Sequence, residues 1–558
     1  MNVSSAPDHP DADVYQHPCA WDMDFPPLTL PQMLENSVRR APAAPMIMFM
    51  GRTYSYSQIM AEARGFAAGL QAAGIERGDR IGLFLPNVPI YPAAYYGAMI
   101  AGCAVVNFSP LYSAEELAHQ VEDSGTKMLV TMDVPALLPT ALEVLGASSL
   151  SYLLVGRLPD MLPAIKGYAL RLLGRKQLTA IPARKDVLRW AEFARGNPSP
   201  VEISADDLAL LQYTGGTTGT PKGAMLTHQN LSANARQVDA IDPFTDIEDI
   251  ILGVLPMFHV FANTCVLNRT ILKGGCMALL PRFDAGQALK TLAKVGATAF
   301  PGVPTMYQAL LDHPDFAKTD FSSLQVCISG GAPLPAPVRE AFQEKSRALL
   351  VEGYGLTESS GVVSTNPYQG ENRPGTIGQP LPRTRVMLLD KENPAIAAAA
   401  GEPGELVVIG PQIMGGYWNR PDAAETAFAQ FNGERWLRTG DIAMIDSEGY
   451  MKIVDRSKDM IAVGGFKVFP SRIEAVLVEH EAVKEALVLG VPDDYLGEVP
   501  NAYITLNDGA DTSADSLKTW LNPQVGKHER VAEIVIRNEL PKTMIGKLDR
   551  KALRAEVL

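Results

Sequence analysis

The sequence predicts an α/β protein built on parallel sheets, with a β-rich region and a smaller mixed segment following. Three observations carry this. Strand-like and helix-like stretches alternate through most of the first 350 residues, the pattern of parallel sheets covered by helices on both faces. After Gly375 short strands are broken by Gly, Pro and Asn, which suggests a barrel-like β region. From about Ser457 the alternation returns in a charge-rich segment.

Taken in order, Ile81–Ala114 comes first, because it carries no charge. A membrane span needs about 20 predominantly apolar residues. Here Pro86, Pro89, Pro92, Asn87 and Asn107 interrupt the run. A buried unit fits better: strand Ile81–Leu85, helix from about Ile90 to Gly102, strand Ala104–Phe108. Met128–Thr131 and Tyr152–Val155 read as strands. Leu208–Tyr213 is a strand running into a glycine-rich turn. Cys276–Leu280, Ala297–Phe300 and Leu324–Ser329 read as strands, and Ala285–Lys294, Thr305–Leu311 and Ala336–Lys345 as helices. In the β-rich region the strands are Val386–Leu389, Glu405–Ile409, Met444–Ile445 and Met451–Val454.

Composition limits the function classes. The 558 residues carry 49 Lys+Arg against 62 Asp+Glu, a net charge of −13, which excludes a globally basic nucleic-acid binder. Five cysteines (Cys19, Cys103, Cys265, Cys276, Cys327) form no CxxC pair, so neither a disulfide framework nor a zinc site is expected. The acidic, proline-containing start is unlike an export signal, and a cytoplasmic location is expected.

The densest chemical signal is Tyr213-Thr-Gly-Gly-Thr-Thr-Gly-Thr-Pro-Lys222-Gly223. Glycines let the backbone approach an anion, Thr214, Thr217 and Thr218 supply hydroxyls, and Lys222 adds a positive charge. A Walker A loop needs Gly-Lys-Ser/Thr, and here Pro221 and Gly223 flank the lysine. A phosphate cradle of another kind is expected over Thr214, Gly215, Gly216, Thr217, Thr218, Gly219 and Lys222.

This motif resembles the signature of the adenylate-forming superfamily of acyl-CoA synthetases, luciferases and peptide-synthetase adenylation domains. Four further signatures follow in the family's order: Tyr354-Gly-Leu-Thr-Glu358; Arg438-Thr-Gly-Asp441; Asp455-Arg456-Ser-Lys458-Asp459 with Gly464-Gly465-Phe466-Lys467; and Pro541-Lys-Thr-Met-Ile-Gly-Lys547. The likeness runs from about Leu30 to Leu553. It is nearest to bacterial long-chain fatty-acyl-CoA ligases, through Pro256-Met-Phe-His259-Val-Phe-Ala and Gly433-Glu-Arg-Trp436-Leu-Arg-Thr-Gly-Asp441.

The resemblance implies a large AMP-binding domain over 1–456, made of two αβα sheet subdomains and a β-barrel-like one. A small mobile α+β domain over 457–558 would follow. The substrates implied are ATP, coenzyme A and a medium- or long-chain fatty acid, with Mg²⁺ as cofactor; an aryl or other carboxylic acid is the alternative. Glu358 would hold Mg²⁺ and Thr357 would donate to the α-phosphate. Tyr354, flanked by Gly353 and Gly355, would stack on adenine, with Gly330, Gly331 and Ala332 lining the slot. Asp441 and Arg456 would meet the ribose. His259 would lie beside the substrate carboxylate, at an acyl tunnel drawn from Phe261–Leu267, Gly302–Val303 and Gly330–Gly331. Lys547 would bridge the α-phosphate and the incoming carboxylate. Lys458 would be a hinge that turns the small domain, bringing Gly464 and Gly465 in for the thioester step, with Lys467 near the nucleotide phosphate. An amino-acid activator would want an Asp between Leu255 and Arg269, and none is there. No carrier-protein segment follows Leu558, which argues against a peptide-synthetase module. A non-catalytic relative would be expected to lack Lys547 or Glu358.

One feature comes from charge alone. Arg157–Lys185 holds seven basic residues and one acidic residue, Asp160. A helix there would put Leu162, Ile165, Ala169, Leu172 and Leu173 on one face, flanked by Lys166 and Lys176, with Arg171 and Arg175 opposite. Two readings stand for this segment: a solvated basic excursion packed on the large domain, or peripheral contact with an anionic membrane.

Overall fold

The structure, a computed structural model, describes residues 14–558 except 215–220, 245–247, 391–392, 457–458, 464–465, 494 and 544–546; of Arg175, Arg456, Phe466 and Lys467 it describes the backbone. The described chain forms two compact units, one holding residues 14–385 together with 409–427, the other 386–408 together with 428–558.

The first unit is doubly wound α/β. One sheet runs, in spatial order, Gln379–Pro380, Ser364–Thr365, Leu349–Tyr354, Val326–Ser329, Ala299–Gly302, Ile250–Gly253, Cys276–Leu279, Pro45–Phe49 and Arg52–Ser55. Its six central strands are parallel. The other runs Gly416–Tyr417, Lys222–Thr227, Leu208–Thr214, Ala104–Asn107, Arg80–Leu83, Thr126–Met132, Tyr152–Gly156 and Val187–Arg189. Its strands run in one direction apart from Lys222–Thr227, which is antiparallel to both its neighbours. Both sheets read as nearly continuous apolar runs because helices cover both faces.

The uncharged stretch is an interior unit. Strand Arg80–Leu83, helix Ile90–Ile100 and strand Ala104–Asn107 follow each other, and every helix residue but Ile100 is buried. Its tyrosines stay inside because each hydroxyl has a partner: Tyr91 donates to Asn107 Oδ1 at 2.7 Å, Tyr95 to Asn263 Oδ1 at 3.0 Å, and Tyr96 to Asn268 Oδ1 at 2.7 Å. No described helix is long and apolar enough to cross a membrane.

In the second unit the β-rich region is an antiparallel sheet. Its long strand Glu434–Ile445 pairs with Gly404–Ile409 on one side; on the other it pairs with Phe428–Phe431 and then Met451–Arg456. That strand begins ten residues before the Met444–Ile445 expected from sequence. Polar residues and Gly440 interrupt its apolar alternation and hide it. The C-terminal segment has its own sheet, where Gly497–Leu506 pairs with Val483–Asp493 and Glu533–Ile536. Helices Pro470–Val478 and Ala514–Leu521 bury Ile473, Leu477, Leu517 and Leu521 against it.

The basic excursion forms the helix Ala164–Leu173. Its exposed face differs from the expected one. Leu162 is buried ahead of the helix, Tyr168 joins the exposed stripe, and Arg171 is paired with Asp160.

Candidate active site

Two strands flank the glycine/threonine motif. Leu208–Thr214 and Lys222–Thr227 form an antiparallel hairpin, and the register pairs Thr214 with Lys222. Thr214 Oγ1 donates to the Lys222 carbonyl at 3.4 Å. Gly215, Gly216, Thr217, Thr218 and Gly219 lie outside the described residues.

A third strand is laid on the hairpin. Gly416–Tyr417 pairs with Met225 and Ala224, which sets the Tyr417 ring under the Lys222 ammonium, Nζ 5.3 Å from its centroid. The Tyr417 hydroxyl donates to Glu358 Oε1 at 2.6 Å. Burial, and then the Glu358 charge that accepts its proton, push the phenol far above its usual range. One tyrosine therefore joins the lysine of the first signature to the carboxylate of the second, 136 residues apart in the chain. A second cluster holds the same end of the hairpin through Tyr213. Asp123 accepts from the Tyr213 hydroxyl at 2.6 Å and from Arg420 at 2.8 Å, while Trp418 Nε1 donates to its carbonyl at 3.1 Å.

The second signature starts at a strand end. Leu349–Tyr354 gives way to a single tight helical turn, Thr357–Ser359, carrying Glu358. The turn is held closely. Ser359 Oγ accepts from Leu356 N at 3.0 Å, and Met414 N donates to the Glu358 carbonyl at 2.9 Å. Ser360 sits at φ +59°, a left-handed conformation unfavourable for serine. Its hydroxyl donates to the Gln412 carbonyl at 2.8 Å, and its carbonyl accepts from Thr264 at 2.6 Å. Gly355 allows the return of the chain: a Cβ there would lie 2.0 Å from the Gly361 carbonyl oxygen. Tyr354, Thr357 and Glu358 are all half-buried at this rim.

Three stretches predicted to border an acyl tunnel do meet. Gly330 N donates to the Gly302 carbonyl at 3.2 Å, and a Cβ on Gly330 would come within 3.0 Å of the Phe261 ring. Gly331 and Ala332 follow at the surface end of that strand, and Gly353 lies on the neighbouring one. His259 caps the short helix Val260–Ala262, its Nδ1 accepting from Phe261 N at 3.4 Å, and it is half-buried. Past it the helix widens to a π-helical stretch, Asn263–Asn268. His228, by contrast, is a core residue whose Nδ1 accepts from Leu30 N at 3.4 Å.

Sequence reasoning missed Tyr417, the Asp123 cluster and Glu352. Glu352 lies in a small recess with Leu334, Arg339, Asn366 and Arg373. Burial pushes its carboxyl up to about 8, against the opposing pull of the Leu334 N–H and the Arg339 charge. The Leu334 contact ties the loop after Gly330 to the strand before Tyr354. The available signals were the aromatic pair Tyr417-Trp418 after Gly415-Gly416 and a carboxylate directly before Gly353.

In the second unit Arg438 is a structural partner of its own signature. It forks onto Glu405, Nε to Oε2 at 3.1 Å and NH2 to Oε2 at 2.5 Å. Gly440 N also donates to Glu405, at 3.3 Å, and turns the chain so that Asp441 is buried. Asp441 pairs in register with Arg456. Asp455 accepts from Ser471 N at 3.0 Å, joining the strand end to the helix Pro470–Val478. Lys458, Gly464 and Gly465 lie outside the described residues, and Lys467 is placed by its backbone on a short strand against Ala462. Lys547 is half-buried and bonded to Thr543: its N–H donates to Thr543 Oγ1 at 3.2 Å and its carbonyl accepts from Thr543 N at 2.6 Å. Arg550 then anchors the last helix through Asp459 at 3.1 Å and Glu474 at 2.5 Å.

Known proteins resemble this chain along its whole length. Residues 34–418 match the AMP-binding enzyme model, and residues 472–547 match the AMP-binding enzyme C-terminal domain. The long-chain-fatty-acid–CoA ligase of Bacillus subtilis (strain 168) is 38% identical over 550 residues, 97% of each chain. That of Escherichia coli O157:H7 is 39% identical over 542 residues, 95% of this chain and 94% of that one. ATP-bound MatB from Rhodopseudomonas palustris superposes with a TM-score of 0.83 at 28% identity, covering 95% of this chain and 99% of that one. With both family models matched in chain order and relatives of this identity end to end, the chain belongs to the AMP-binding enzyme family.

Proposed function

We propose that the protein ligates a medium- or long-chain fatty acid to coenzyme A at the expense of ATP, in two steps. A carboxylate oxygen attacks the α-phosphorus of ATP, the bond to the bridging oxygen breaks, and pyrophosphate leaves. The CoA sulfur then attacks the acyl carbonyl, AMP departs, and the thiol proton passes to solvent. The observation that carries the reading is the meeting of Lys222 and Glu358 at Tyr417: a cation and a carboxylate held on one ring at the end of a phosphate-loop hairpin. The acid class rests on the names of the relatives.

The residues divide the work as follows. The hairpin loop and Lys222 hold the departing phosphates, whose charge must be met as it builds. Thr357 donates to the α-phosphate. Mg²⁺ fits Glu358, since a single hard carboxylate completed by substrate phosphates is how this ion is commonly bound, and Tyr417 engages one of its two oxygens. When bound, the ion neutralises phosphate charge. Tyr354 and the Gly330–Ala332 edge enclose adenine, and Asp441 and Arg456 take the ribose. His259 orients the carboxylate at the mouth of the acyl site beside Phe261. Lys547 supplies a cation for adenylation only. A turn of the segment after residue 456 about Lys458 withdraws it and brings Gly464, Gly465 and Lys467 to the thioester step. Peripheral contact with an anionic membrane belongs to this reading, because such acids partition into bilayers.

Pyrophosphate release over acids of different chain length, with benzoate and a coumarate included, tests it. Release that rises with chain length and needs ATP supports the fatty-acid reading. Release with the aromatic acids alone replaces it by an aryl-acid ligase.

A further inference from the structure

Eleven large apolar side chains are exposed among the described residues, and four of them stand on one ten-residue helix: Ile165 at 86%, Tyr168 at 65%, Leu172 at 52% and Leu173 at 89%. At 3.6 residues per turn these four fall, with Ala169, in one stripe. The stripe faces outward because the opposite face is seated on the first unit. A Cβ on Gly167 would lie 2.3 Å from the Pro159 carbonyl oxygen, so glycine lets the helix lie this close. The turn below is fastened by Tyr54, donating to the Met161 carbonyl at 2.8 Å, and by Arg52, donating to the Asp160 carbonyl at 2.7 Å. Lys166 Nζ donates to the Met50 carbonyl at 2.9 Å, which places Met50, itself 50% exposed, beside the stripe.

Basic side chains border this apolar surface: Lys166 and Lys176 are exposed, Arg171 is exposed and paired with Asp160, and Arg175 adjoins Lys176 in sequence, in a chain of net charge −13. An apolar stripe bordered by basic side chains complements an anionic bilayer: the aliphatic and aromatic groups enter the headgroup–acyl boundary and the cations meet lipid phosphates.

We infer that the helix Ala164–Leu173, with Met50, is a docking surface for an anionic lipid membrane. The contact deepens the proposed function by delivering an apolar acid from the bilayer; it rests on that reading for its purpose, while its test uses no substrate.

The test is co-sedimentation of the full chain with phosphatidylcholine vesicles, with and without phosphatidylglycerol, at low and high salt. The wild type is expected to sediment with the anionic vesicles at low salt and far less with the neutral ones. Arg175→Glu/Lys176→Glu should lower partitioning by about tenfold or more at low salt. Ile165→Ser/Leu173→Ser should lower it at both salt concentrations. Ile165, Leu173 and Lys176 are on the surface, and unchanged thermal melting shows that the variants fold. Wild type left in the supernatant with anionic vesicles overturns the inference, as do variants that sediment like wild type. A dimer that Ile165→Ser/Leu173→Ser turns into a monomer also overturns it, in favour of a second copy on this face. Vesicle binding by a chain that releases pyrophosphate with no acid keeps the dock and removes the proposed function; pyrophosphate release without vesicle binding does the reverse.

Discussion

Tyr417 has an ammonium over its ring and a carboxylate at its hydroxyl, and the two contacts separate by mutation. Tyr417→Phe keeps the ring under Lys222 and removes the donor that orients Glu358. Partners of this sort typically contribute 10- to 100-fold, so pyrophosphate release should fall by roughly tenfold at limiting Mg²⁺ and recover as Mg²⁺ is raised. An unchanged Mg²⁺ requirement would remove Tyr417 from the site. Glu352 makes a pH prediction. Its carboxyl is raised to about 8, so the folded chain holds a proton there that the unfolded chain releases near 4.5. Its contribution to stability is therefore complete below about 4.5 and is lost as pH rises toward 8. Glu352→Gln cannot ionise. Melting curves at increasing pH should show the variant gaining on wild type, by on the order of a few kcal/mol at the alkaline end. A difference that stays constant with pH would contradict this.

At the scale of elements, the Thr357–Ser359 turn depends on Gly355, where the chain returns closely on itself. Gly355→Ala puts a methyl 2.0 Å from the Gly361 carbonyl, which the backbone relieves only by moving the turn that carries Glu358. Overpacking of this kind costs about 1–3 kcal/mol. Melting should drop accordingly, and pyrophosphate release should fall further than the lost stability explains; wild-type release would mean the turn does not position Glu358. Elements were legible where apolar pattern and burial coincide. The strand expected at Tyr152–Val155 is found at Tyr152–Gly156, and the helix expected at Ala336–Lys345 at Ala336–Ser346. Glu434–Ile445 was mostly hidden because Glu434, Arg435, Arg438 and Asp441 interrupt its alternation, while pairing on both sides still holds it. The outward stripe of Ala164–Leu173 was only partly legible. Periodicity places residues on a face but does not say which face is seated, and here Gly167 decides it.

For the whole molecule, the signatures were legible because each is contiguous and ordered. What joins them was not, since Tyr417 reaches Glu358 only through strand pairing with Ala224 and Met225. The proposed function uses Lys547 for adenylation alone, so its two half-reactions separate by mutation. The most direct measurement follows α-labelled ATP with a long-chain acid, first without and then with CoA, in wild type and Lys547→Ala. Wild type should accumulate acyl-AMP and discharge it to acyl-CoA and AMP. Lys547→Ala should form acyl-AMP roughly 10²–10³ more slowly, yet discharge preformed acyl-AMP at a near wild-type rate. Labelled ADP in place of AMP, or equal loss of both half-reactions in Lys547→Ala, would contradict the account.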